Sequence, residues 1–352
     1  LPVNERIRRG KRRRWWPIGA VAWSGLAALL GCAVMARLWP VGLGRTLPSP
    51  AWTLDWLASM TANLALHISI AASVFLLMLL VCRRWGLLLA STALVALFAW
   101  PFAMTFLPTS SRVASGGTLR VGTVNVLGSN TRFDAMTNEL RSMRADVWGV
   151  QECTAAWADA IEREHCDEQA SFDRVAWPGG GGIALWASAE LQAPAIAALD
   201  VGEAGLPFVR AELELDGRPI ALYVIHVLPP LRLSEFLRRE ATFDALLKHL
   251  AAERLPSVVV GDLNATVGAP RCRRMRSLGY RDAASMAGLG LQSTWSAGAH
   301  PRYGGALGLL PGLRLDRIWI SDELTAISVE IGEGPGSDHR PVLAQLGWAA
   351  GS

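Results

Sequence analysis

The sequence predicts a mixed α/β (α+β) domain that follows three membrane-spanning helices. The first observation is charge depletion, since only five of the 97 residues from 15 to 111 are charged. The second is an alternation, after residue 117, of short apolar stretches with amphipathic ones, separated by turn-forming residues. About 235 residues remain for this second part, which is enough for one hydrophobic core.

Three charge-free runs make up most of the depleted region. They cover residues 15–36, 56–82 and 85–111. Each run exceeds the roughly 20 apolar residues that a helix needs to cross a bilayer. A buried core helix or a signal peptide would explain one such run, but three in succession favour membrane helices. The prediction is a membrane region at 15–107 with helices at about 16–38, 60–82 and 85–107.

Lysine and arginine predict the orientation of these helices. Seven basic residues lie within the N-terminal segment 1–14, and Arg83 and Arg84 separate the second and third runs. Because basic loops are retained on the cytoplasmic side, segment 1–14 is predicted to be cytoplasmic. Three crossings then leave everything after the polar, Gly- and Ser-rich linker 108–117 outside the cytoplasm.

The net charge of the chain, +4, comes from the same N-terminal basic residues that predict the orientation. Residues 1–116 carry 12 of the 34 Lys and Arg residues but only 2 of the 30 Asp and Glu residues. The remainder therefore carries 22 basic and 28 acidic residues, a net charge of −6. This part lacks the excess of positive charge that is typical of nucleic-acid-binding domains.

Strands are predicted from short apolar runs and from alternation of apolar and polar residues. The continuous apolar run in 257–262 indicates a buried strand. Turn-forming residues separate 208–215 from 220–227. The predicted strands are 118–126, 146–152, 182–188, 208–215, 220–227, 257–262, 313–321, 326–331 and 340–346.

Two segments show the apolar period of an amphipathic helix, namely 133–145 and 232–254. A third segment, "WPGGGGIALWAS", contains four glycines at 179–182. These glycines precede a strand rather than a helix and do not have the spacing of a phosphate-binding loop, so they predict a flexible loop. Trp177 at the start of the segment is predicted to pack in the core or against a loop.

Cysteine spacing argues against a structural zinc site. Three of the five cysteines, Cys153, Cys166 and Cys272, lie after the membrane region, and none belongs to a CxxC pair. A location outside the cytoplasm permits one disulfide among them and leaves one thiol over. The sequence does not select the pair.

Polar side chains of catalytic type follow six of the apolar segments. The segments are "TVNV", "GVQE", "YVIHV", "VVVGDLNA", "LRLDRIWI" and "GSDHRP", and their polar residues are Asn125, Glu152, His226, Asp262, Asn264, Asp316, Asp338 and His339. Each residue alone is explained by a turn or a cap. Together, carboxylates, amides and histidines at strand ends can hold a divalent cation and transfer protons. Since no GxSxG, P-loop or HExxH motif occurs, the set indicates metal-assisted attack of water on a phosphate ester.

In this order and spacing, the six segments resemble the endonuclease/exonuclease/phosphatase superfamily, which has the DNase I-like fold. The resemblance covers residues 118–346, within a domain that we place at 118–350, and its most specific parts are "GDLNA" and "SDHRPV". It implies a four-layered sandwich of two mixed sheets with helices outside. It also implies hydrolysis of a phosphodiester or phosphomonoester that depends on Mg²⁺ or Mn²⁺.

The resemblance assigns three residues to the metal. Glu152 would be the main ligand, with Asn125 nearby and Asp338 as a further ligand. The number of metal ions and the choice between Mg²⁺ and Mn²⁺ stay open.

The resemblance assigns five further residues to catalysis. Asp262 would position or deprotonate the attacking water, and Asn264 would hold the phosphate. His339, oriented by Asp316, would be the acid/base or phosphate-contacting histidine. His226 would stabilise charge on the phosphate or on the leaving group, and which histidine is acid and which is base stays open.

Two positions differ from the abasic-site endonucleases of this family. Those enzymes have an "N-x-D" motif at the first segment, and here Leu127 replaces its Asp. At the third segment they have Asn, and here the residue is His226. The histidine form is similar to nucleases, sphingomyelinases and bacterial membrane members, which implies a multi-pass protein of the bacterial plasma membrane with a periplasmic domain. Nucleic acid, phospholipid headgroups and soluble phosphate esters stay open as substrates, as do the oligomeric state and a catalytically silent binding module of the same fold.

Overall fold

A break near residue 101 divides the chain into two compact units. The computed structural model describes residues 20–38, 51–107, 114–164, 171–177, 181–188, 191, 195–199, 201, 205–290, 292–295 and 312–350. Cys166, a candidate for the predicted disulfide, lies outside the described residues. Cys153 and Cys272 are both buried as free thiols.

The N-terminal unit is helical, but it does not contain the three straight spans predicted from charge depletion. Among the described residues, one helix, Trp85–Phe106, has the length and composition needed to cross a membrane, in agreement with the predicted span 85–107. The predicted second span, 60–82, is interrupted, because helices Trp52–Asn63 and Ala65–Val81 meet at an angle of 69°. These two helices count as one further candidate only if the bent pair is taken as a single span.

In the first predicted span, 16–38, the described residues form an apolar helix at Ala20–Ala36, whose last turns change to a π-helix at Val34–Leu38. The prediction of three straight spans failed because charge depletion measures the length of an apolar run, whereas spanning also requires one continuous straight helix.

The C-terminal unit contains the strands and helices of a mixed α/β domain. Its strands are β1 (Ala114–Asn125), β2 (Val147–Gln151), β3 (Ser171–Ala176), β4 (Gly182–Ala187), β5 (Ala195–Leu199), β6 (Phe208–Leu215), β7 (Arg218–His226), β8 (Ser257–Asp262), β9 (Arg281–Asp282), β10 (Asp316–Ile320), β11 (Leu324–Ile331) and β12 (Val342–Ala349). Its helices are α1 (Phe133–Ser142), α2 (Ala155–Glu164), α3 (Leu233–Ala252), α4 (Pro270–Ser277) and α5 (Ala283–Met286).

These strands form two six-stranded sheets of mixed direction. The order in the first sheet is β11-β12-β1-β2-β4-β3, and in the second it is β5-β6-β7-β8-β10-β9. One parallel pair lies at the centre of each sheet, β1 with β2 and β7 with β8, while the other neighbours are antiparallel. Because parallel neighbours end at the same edge, the polar residues that follow β1, β2, β7 and β8 are placed at sheet edges together.

Three buried clusters show that the domain has four layers. The central cluster joins apolar side chains of both sheets, such as Val121 and Val260. A second cluster packs α3 and α4 on the outer face of the second sheet, with Phe243 against Val259 and Trp319. The third packs α1 and α2 on the outer face of the first sheet. Helices therefore cover both sheets, and the predicted four-layered architecture of two mixed sheets is confirmed.

Apolar patterning located most of these elements within a few residues. The prediction missed the charge-rich helices α2 and α4, the strand β5, whose "AIAAL" contains one β-branched residue, and also β3 and the short elements β9 and α5. It also placed the linker too far along the chain, because β1 already begins at Ala114 within the predicted linker 108–117. Residues 108–113 of that linker lie outside the described residues.

Candidate active site

All eight residues predicted for the site lie at strand ends or in the loop before β12. Asn125 and His226 are the last residues of β1 and β7, and Glu152 follows β2 directly. Asp262 ends β8 and pairs in register with Asp316, the first residue of β10. The two sheets thus bring residues from distant parts of the sequence into one buried group.

One oxygen, Oδ2 of Asp262, lies at the centre of this group. Asn125 and Asn264 donate hydrogen bonds to it from their side-chain nitrogens at 3.2 and 3.1 Å. The Nε2 atoms of His226 and His339 both lie 3.6 Å from the same oxygen. Asp262 is 1% exposed, so these contacts lie in a site with little access to bulk water.

Asp316 fixes the orientation of the His339 ring. Nδ1 of His339 lies 2.8 Å from Oδ2 of Asp316, which leaves Nε2 directed toward Asp262. This carboxylate–imidazole arrangement sets the tautomer of a histidine that transfers protons. The predicted role of Asp316 is therefore compatible with its position.

The charges of these groups shift their proton affinities. Burial lowers the pKa of His339, but the negative charges of Asp316 and Asp262 and the hydrogen bond to Asp316 together raise it to about 10. Burial raises the pKa of Asp262, and the nearby charge of Asp316 adds to that effect against the lowering by both histidines. A buried carboxylate with a raised pKa is a better proton acceptor than an exposed aspartate.

Asn125 joins Asp262 to the second carboxylate of the site. Its side-chain nitrogen also donates to Oε1 of Glu152 at 2.9 Å, and its oxygen accepts from the backbone N–H of Leu127 at 3.0 Å. Oε2 of Glu152 accepts from the backbone N–H of Gly128 at 3.0 Å. Leu127 and Glu152 both adopt positive φ angles, 58° and 55°, which is the type of backbone strain that clusters at functional sites.

The surroundings of Glu152 fit a hard divalent cation. Burial raises its pKa, but the charge of His226, hydrogen bonds from Gly128 and Asn125, and the charge of His339 together lower it below the ordinary value. The carboxylate is therefore ionised, as a metal ligand must be. Each Glu152 oxygen accepts one hydrogen bond and keeps a lone pair for a cation such as Mg²⁺, which prefers oxygen ligands.

Asp262, Asp316 and His339 also form a compact group that could hold a metal, with their ligand atoms within 4.8 Å of one another. In this group, however, the ring nitrogen of His339 and an oxygen of Asp316 already pair with each other at 2.8 Å. A cation there would have to bind through other atoms, such as Nε2 of His339 and Oδ1 of Asp316, and this Oδ1 has no hydrogen-bond partner among the described residues.

Asn264 is held by contacts on both its side chain and its backbone. Its side-chain nitrogen donates to the carbonyl of Val227 at 2.8 Å as well as to Asp262. Its φ angle is +45°, and the buried guanidinium of Arg239 donates to its carbonyl oxygen at 3.3 Å. These contacts fix the position of Asp262, whose Oδ1 accepts from the backbone N–H of Asn264 at 2.9 Å.

Thr294 and Trp295 belong to the site, although the sequence did not identify them. The hydroxyl of Thr294 accepts from the backbone N–H groups of Leu315 and Asp316 at 3.0 and 3.1 Å. The indole of Trp295 donates to Oδ2 of Asp338 at 3.2 Å. A Thr-Trp pair has no distinctive local pattern, so its role appears only when the chain is folded.

Ser337 was also missed, but a local pattern indicates it. Its hydroxyl donates to the carbonyl of Asn125 at 2.7 Å and accepts from the backbone N–H of His339 at 3.0 Å. A serine two residues before the N–H that it binds is a common turn motif. Through Ser337, the loop that carries Asp338 and His339 is attached to the end of β1.

Comparisons with solved structures agree with this architecture. An endonuclease/exonuclease/phosphatase from Bacteroides vulgatus is similar with a TM-score of 0.54 and 18% identity, covering 66% of this chain and 99% of that chain. A mannosyl-6-phosphatase from Bacteroides thetaiotaomicron has a TM-score of 0.51 and 15% identity, with 65% and 99% coverage. D. rerio TDP2 in complex with a single-strand DNA product has a TM-score of 0.51 and 15% identity, with 65% and 98% coverage.

At these identities the structural likeness shows the fold alone. No curated protein matches the chain. The model of one family does match, over residues 122–339, and this range includes all eight predicted site residues. The chain therefore belongs to the endonuclease/exonuclease/phosphatase family.

Proposed function

We propose that the chain is a divalent-metal-dependent phosphoesterase. The observation that carries the proposal is the convergence of two histidines and two asparagines on one oxygen of Asp262. Asp262, with its raised pKa, would accept the proton of the attacking water. His339, positively charged at neutral pH, would stabilise negative charge on the phosphate or protonate the leaving oxygen.

In this proposal Glu152 holds the metal, with Asn125 and Asp338 nearby. A bound Mg²⁺ or Mn²⁺ would supply positive charge to polarise the phosphoryl oxygens. His226, whose Nε2 lies 3.6 Å from Oδ2 of Asp262, would contact the phosphate or the leaving group. Both N–H groups of the Asn264 side chain are used for Val227 and Asp262, so in this arrangement Asn264 would position Asp262 instead of donating to the phosphate as the resemblance implied.

The chain, with both of its units and purified in detergent, tests this proposal on bis(p-nitrophenyl) phosphate and p-nitrophenyl phosphate with Mg²⁺ or Mn²⁺. Glu152→Gln, Asp262→Asn and His339→Ala are each expected to reduce kcat/KM by about 10³-fold or more, because each removes a group from the reacting centre. Asp134→Asn, at an exposed position of α1, is the control and keeps full activity. Retained activity in all three site variants would contradict the assignment.

The substrate class is part of the same test. TDP2 was solved with a single-strand DNA product, and another neighbour is a mannosyl-6-phosphatase, so similar folds handle chemically different esters. DNA, phospholipids with phosphodiester headgroups, and sugar phosphates are compared at equal concentration. A chain that hydrolyses none of them and binds no metal would instead be a silent binding module.

We also propose that helix Trp85–Phe106 anchors the chain in a bacterial plasma membrane. Large apolar side chains along this helix are exposed, including Leu89 at 74% and Trp100 at 64%, which favours contact with lipid over burial in a soluble core. Arg83 and Arg84 precede the helix, so its first end would face the cytoplasm. The domain after its other end would then lie outside.

A further inference from the structure

The rings of His226 and His339 are held in different ways, although both flank the same carboxylate oxygen. His339 pairs through Nδ1 with Asp316 at 2.8 Å. Nδ1 of His226 is buried and has no hydrogen-bond partner in the described part of the chain. Its Nε2 lies 3.6 Å from Asp262, which is longer than a hydrogen bond. Hydrogen bonding within the described residues therefore does not set the orientation of the His226 ring.

An aromatic ring lies against His226 instead. The indole of Trp177 and the imidazole of His226 have centroids 5.2 Å apart and planes tilted by 31°. These values lie within the range of stacked aromatic pairs. His226 is 5% exposed, so its ring is closely packed, and the indole is its aromatic neighbour. This contact can restrict the rotation of the His226 ring, as the Asp316 carboxylate can for His339.

The β3–β4 hairpin fixes Trp177 in turn. Trp177 donates its backbone N–H to the carbonyl of Gly181 at 2.9 Å. Nε of Arg174, on β3, donates to the carbonyl of Cys153 at 2.7 Å, and the backbone N–H of Cys153 donates to the carbonyl of Gly182 at 3.0 Å. The end of the hairpin is therefore attached to the chain directly after Glu152, at the metal side of the site.

Gly182, the last of the four glycines in "WPGGGGIALWAS", allows this attachment. A Cβ atom at this position would lie 2.7 Å from the carbonyl oxygen of Val175 and 3.0 Å from that of Cys153. Both contacts are with backbone atoms, which cannot move aside without breaking the hairpin. Part of the glycine-rich segment thus serves close packing of the hairpin against β2.

We propose that Trp177 is a positioning residue that orients the His226 ring toward Asp262 by stacking, in place of a carboxylate partner. The kinetic consequence rests on the proposed phosphoesterase function, whereas the orientation of the ring does not. The sequence predicted only packing for Trp177, and packing alone would give the chain stability without a specific effect through His226.

Kinetics of the chain in detergent test the proposal with Trp177→Leu and Trp177→Phe, on bis(p-nitrophenyl) phosphate with Mg²⁺. Trp177→Leu is expected to lower kcat about tenfold to a hundredfold with little change in KM, as for other residues that orient a reacting histidine. Trp177→Phe keeps an aromatic face and should recover most of the loss. Equal losses in the two variants would overturn the proposal.

A double-mutant cycle separates positioning from general stability. In the His226→Ala background, Trp177→Leu is expected to cause no further loss, because the ring on which it acts is gone. Trp186→Leu is the matched control, since Trp186 lies on β4 and packs in the outer cluster with Trp148. It should lower the Tm without lowering kcat. An undiminished effect of Trp177→Leu in the His226→Ala background would contradict positioning.

Spectra of ring-labelled histidine give a measurement that needs no hydrolysis. The chain has six histidines, and His226→Ala identifies the resonances of His226. Trp177→Leu should shift these resonances by removing the indole ring current, and Trp186→Leu should not. If the chain is inactive but Trp177→Leu shifts the His226 resonances, the phosphoesterase proposal is wrong and the stacking of Trp177 on His226 is supported. An active chain in which Trp177→Leu shifts nothing would overturn the role of Trp177.

Discussion

Asp316 and Asp262 face each other across the β8–β10 pair, and His339 contacts both carboxylates. This proximity explains why a buried imidazole keeps a proton at neutral pH, since two negative charges offset the cost of burying the cation. Burial raises the pKa of Asp262, against the lowering by His339, and the neighbouring charge of Asp316 adds to the rise, as the proposed role of proton acceptor requires. At the scale of the residue, the chemistry depends on charges that the fold places side by side.

Asp316→Asn tests the contribution of the negative charge of Asp316 to catalysis. The amide oxygen can still accept from Nδ1 of His339, so the ring stays in place while the negative charge is lost. We expect kcat to fall by about 10²- to 10⁴-fold, the range for proton-transfer groups and their orienting carboxylates, with KM little changed. Steady-state kinetics on bis(p-nitrophenyl) phosphate measure the kcat of Asp316→Asn and of the wild type. A kcat within twofold of the wild type would contradict the role of Asp316.

Metal binding can be measured without substrate. A ligand that binds only the folded chain raises its Tm, so Mg²⁺ should stabilise the wild type. Glu152→Gln removes the main proposed ligand and should abolish this rise, whereas Asp134→Asn should keep it. Thermal unfolding in detergent, with and without Mg²⁺ after treatment with a chelator, measures the difference. An equal rise in Glu152→Gln would place the metal elsewhere.

Glu253 makes a separate contribution that depends on pH. It accepts hydrogen bonds from the hydroxyl of Tyr223 at 2.6 Å and from Nε of Arg210 at 2.9 Å. Burial raises its pKa, but the hydrogen bonds from Arg210, Tyr223 and two backbone amides lower it to about 2. Because the folded value lies below the unfolded value of about 4.3, this stabilisation is present above that pH and is lost as the pH falls to about 2.

Glu253→Gln should therefore have a lower Tm than the wild type at pH 6, and the difference should shrink as the pH falls from about 4.3 to about 2. Glu330→Gln, at an exposed position of β11, is the control and should follow the wild type throughout. Thermal unfolding across this pH range measures both. A Tm difference that stays constant between pH 6 and pH 2 would contradict the prediction.

At the scale of the element, close approach of β7 and β8 depends on Gly261. Its φ is +149°, and a Cβ atom there would lie 1.8 Å from the carbonyl oxygen of Ile225. The parallel register of these strands pairs His226 with Asp262, so the same glycine keeps two site residues adjacent. The glycine of "GDLNA" is thus required by backbone packing and not by chemistry.

Gly261→Ala should therefore prevent folding of the domain. Gly217→Ala is the matched control, because Gly217 also has a positive φ, +68°, but a Cβ atom there meets open space. We expect Gly217→Ala to cost only about 1 kcal/mol of backbone strain. Yield of folded protein and Tm distinguish the two variants. A Gly261→Ala chain as stable as Gly217→Ala would show that β7 and β8 can separate without loss of the fold.

At the scale of the whole molecule, the chain combines an apolar N-terminal unit with a domain of net charge −6. If Trp85–Phe106 crosses the membrane with Arg83 and Arg84 on the cytoplasmic side, the C-terminus lies outside. A C-terminal alkaline phosphatase fusion should then be active in intact cells, and a C-terminal green fluorescent protein fusion should be dark. The reverse pattern would place the domain in the cytoplasm.

The sequence by itself predicted the two-sheet α/β fold and the family, and it named eight residues that stay candidates for the site. Apolar patterning locates strands because burial on one or two faces constrains each residue locally, and catalytic side chains at strand ends keep their order along the chain. It did not determine the shape of the N-terminal helices, because composition does not reveal the bend between Asn63 and Ala65.

Only the tertiary structure decided which groups act together. The convergence on Asp262 Oδ2 joins residues from both sheets, and the roles of Trp177 and Trp295 depend on contacts between segments far apart in sequence. Such contacts follow from strand order and register, which local patterning does not specify. Residue types therefore indicated the chemistry, while packing set the distances, burial and charge interactions on which that chemistry depends.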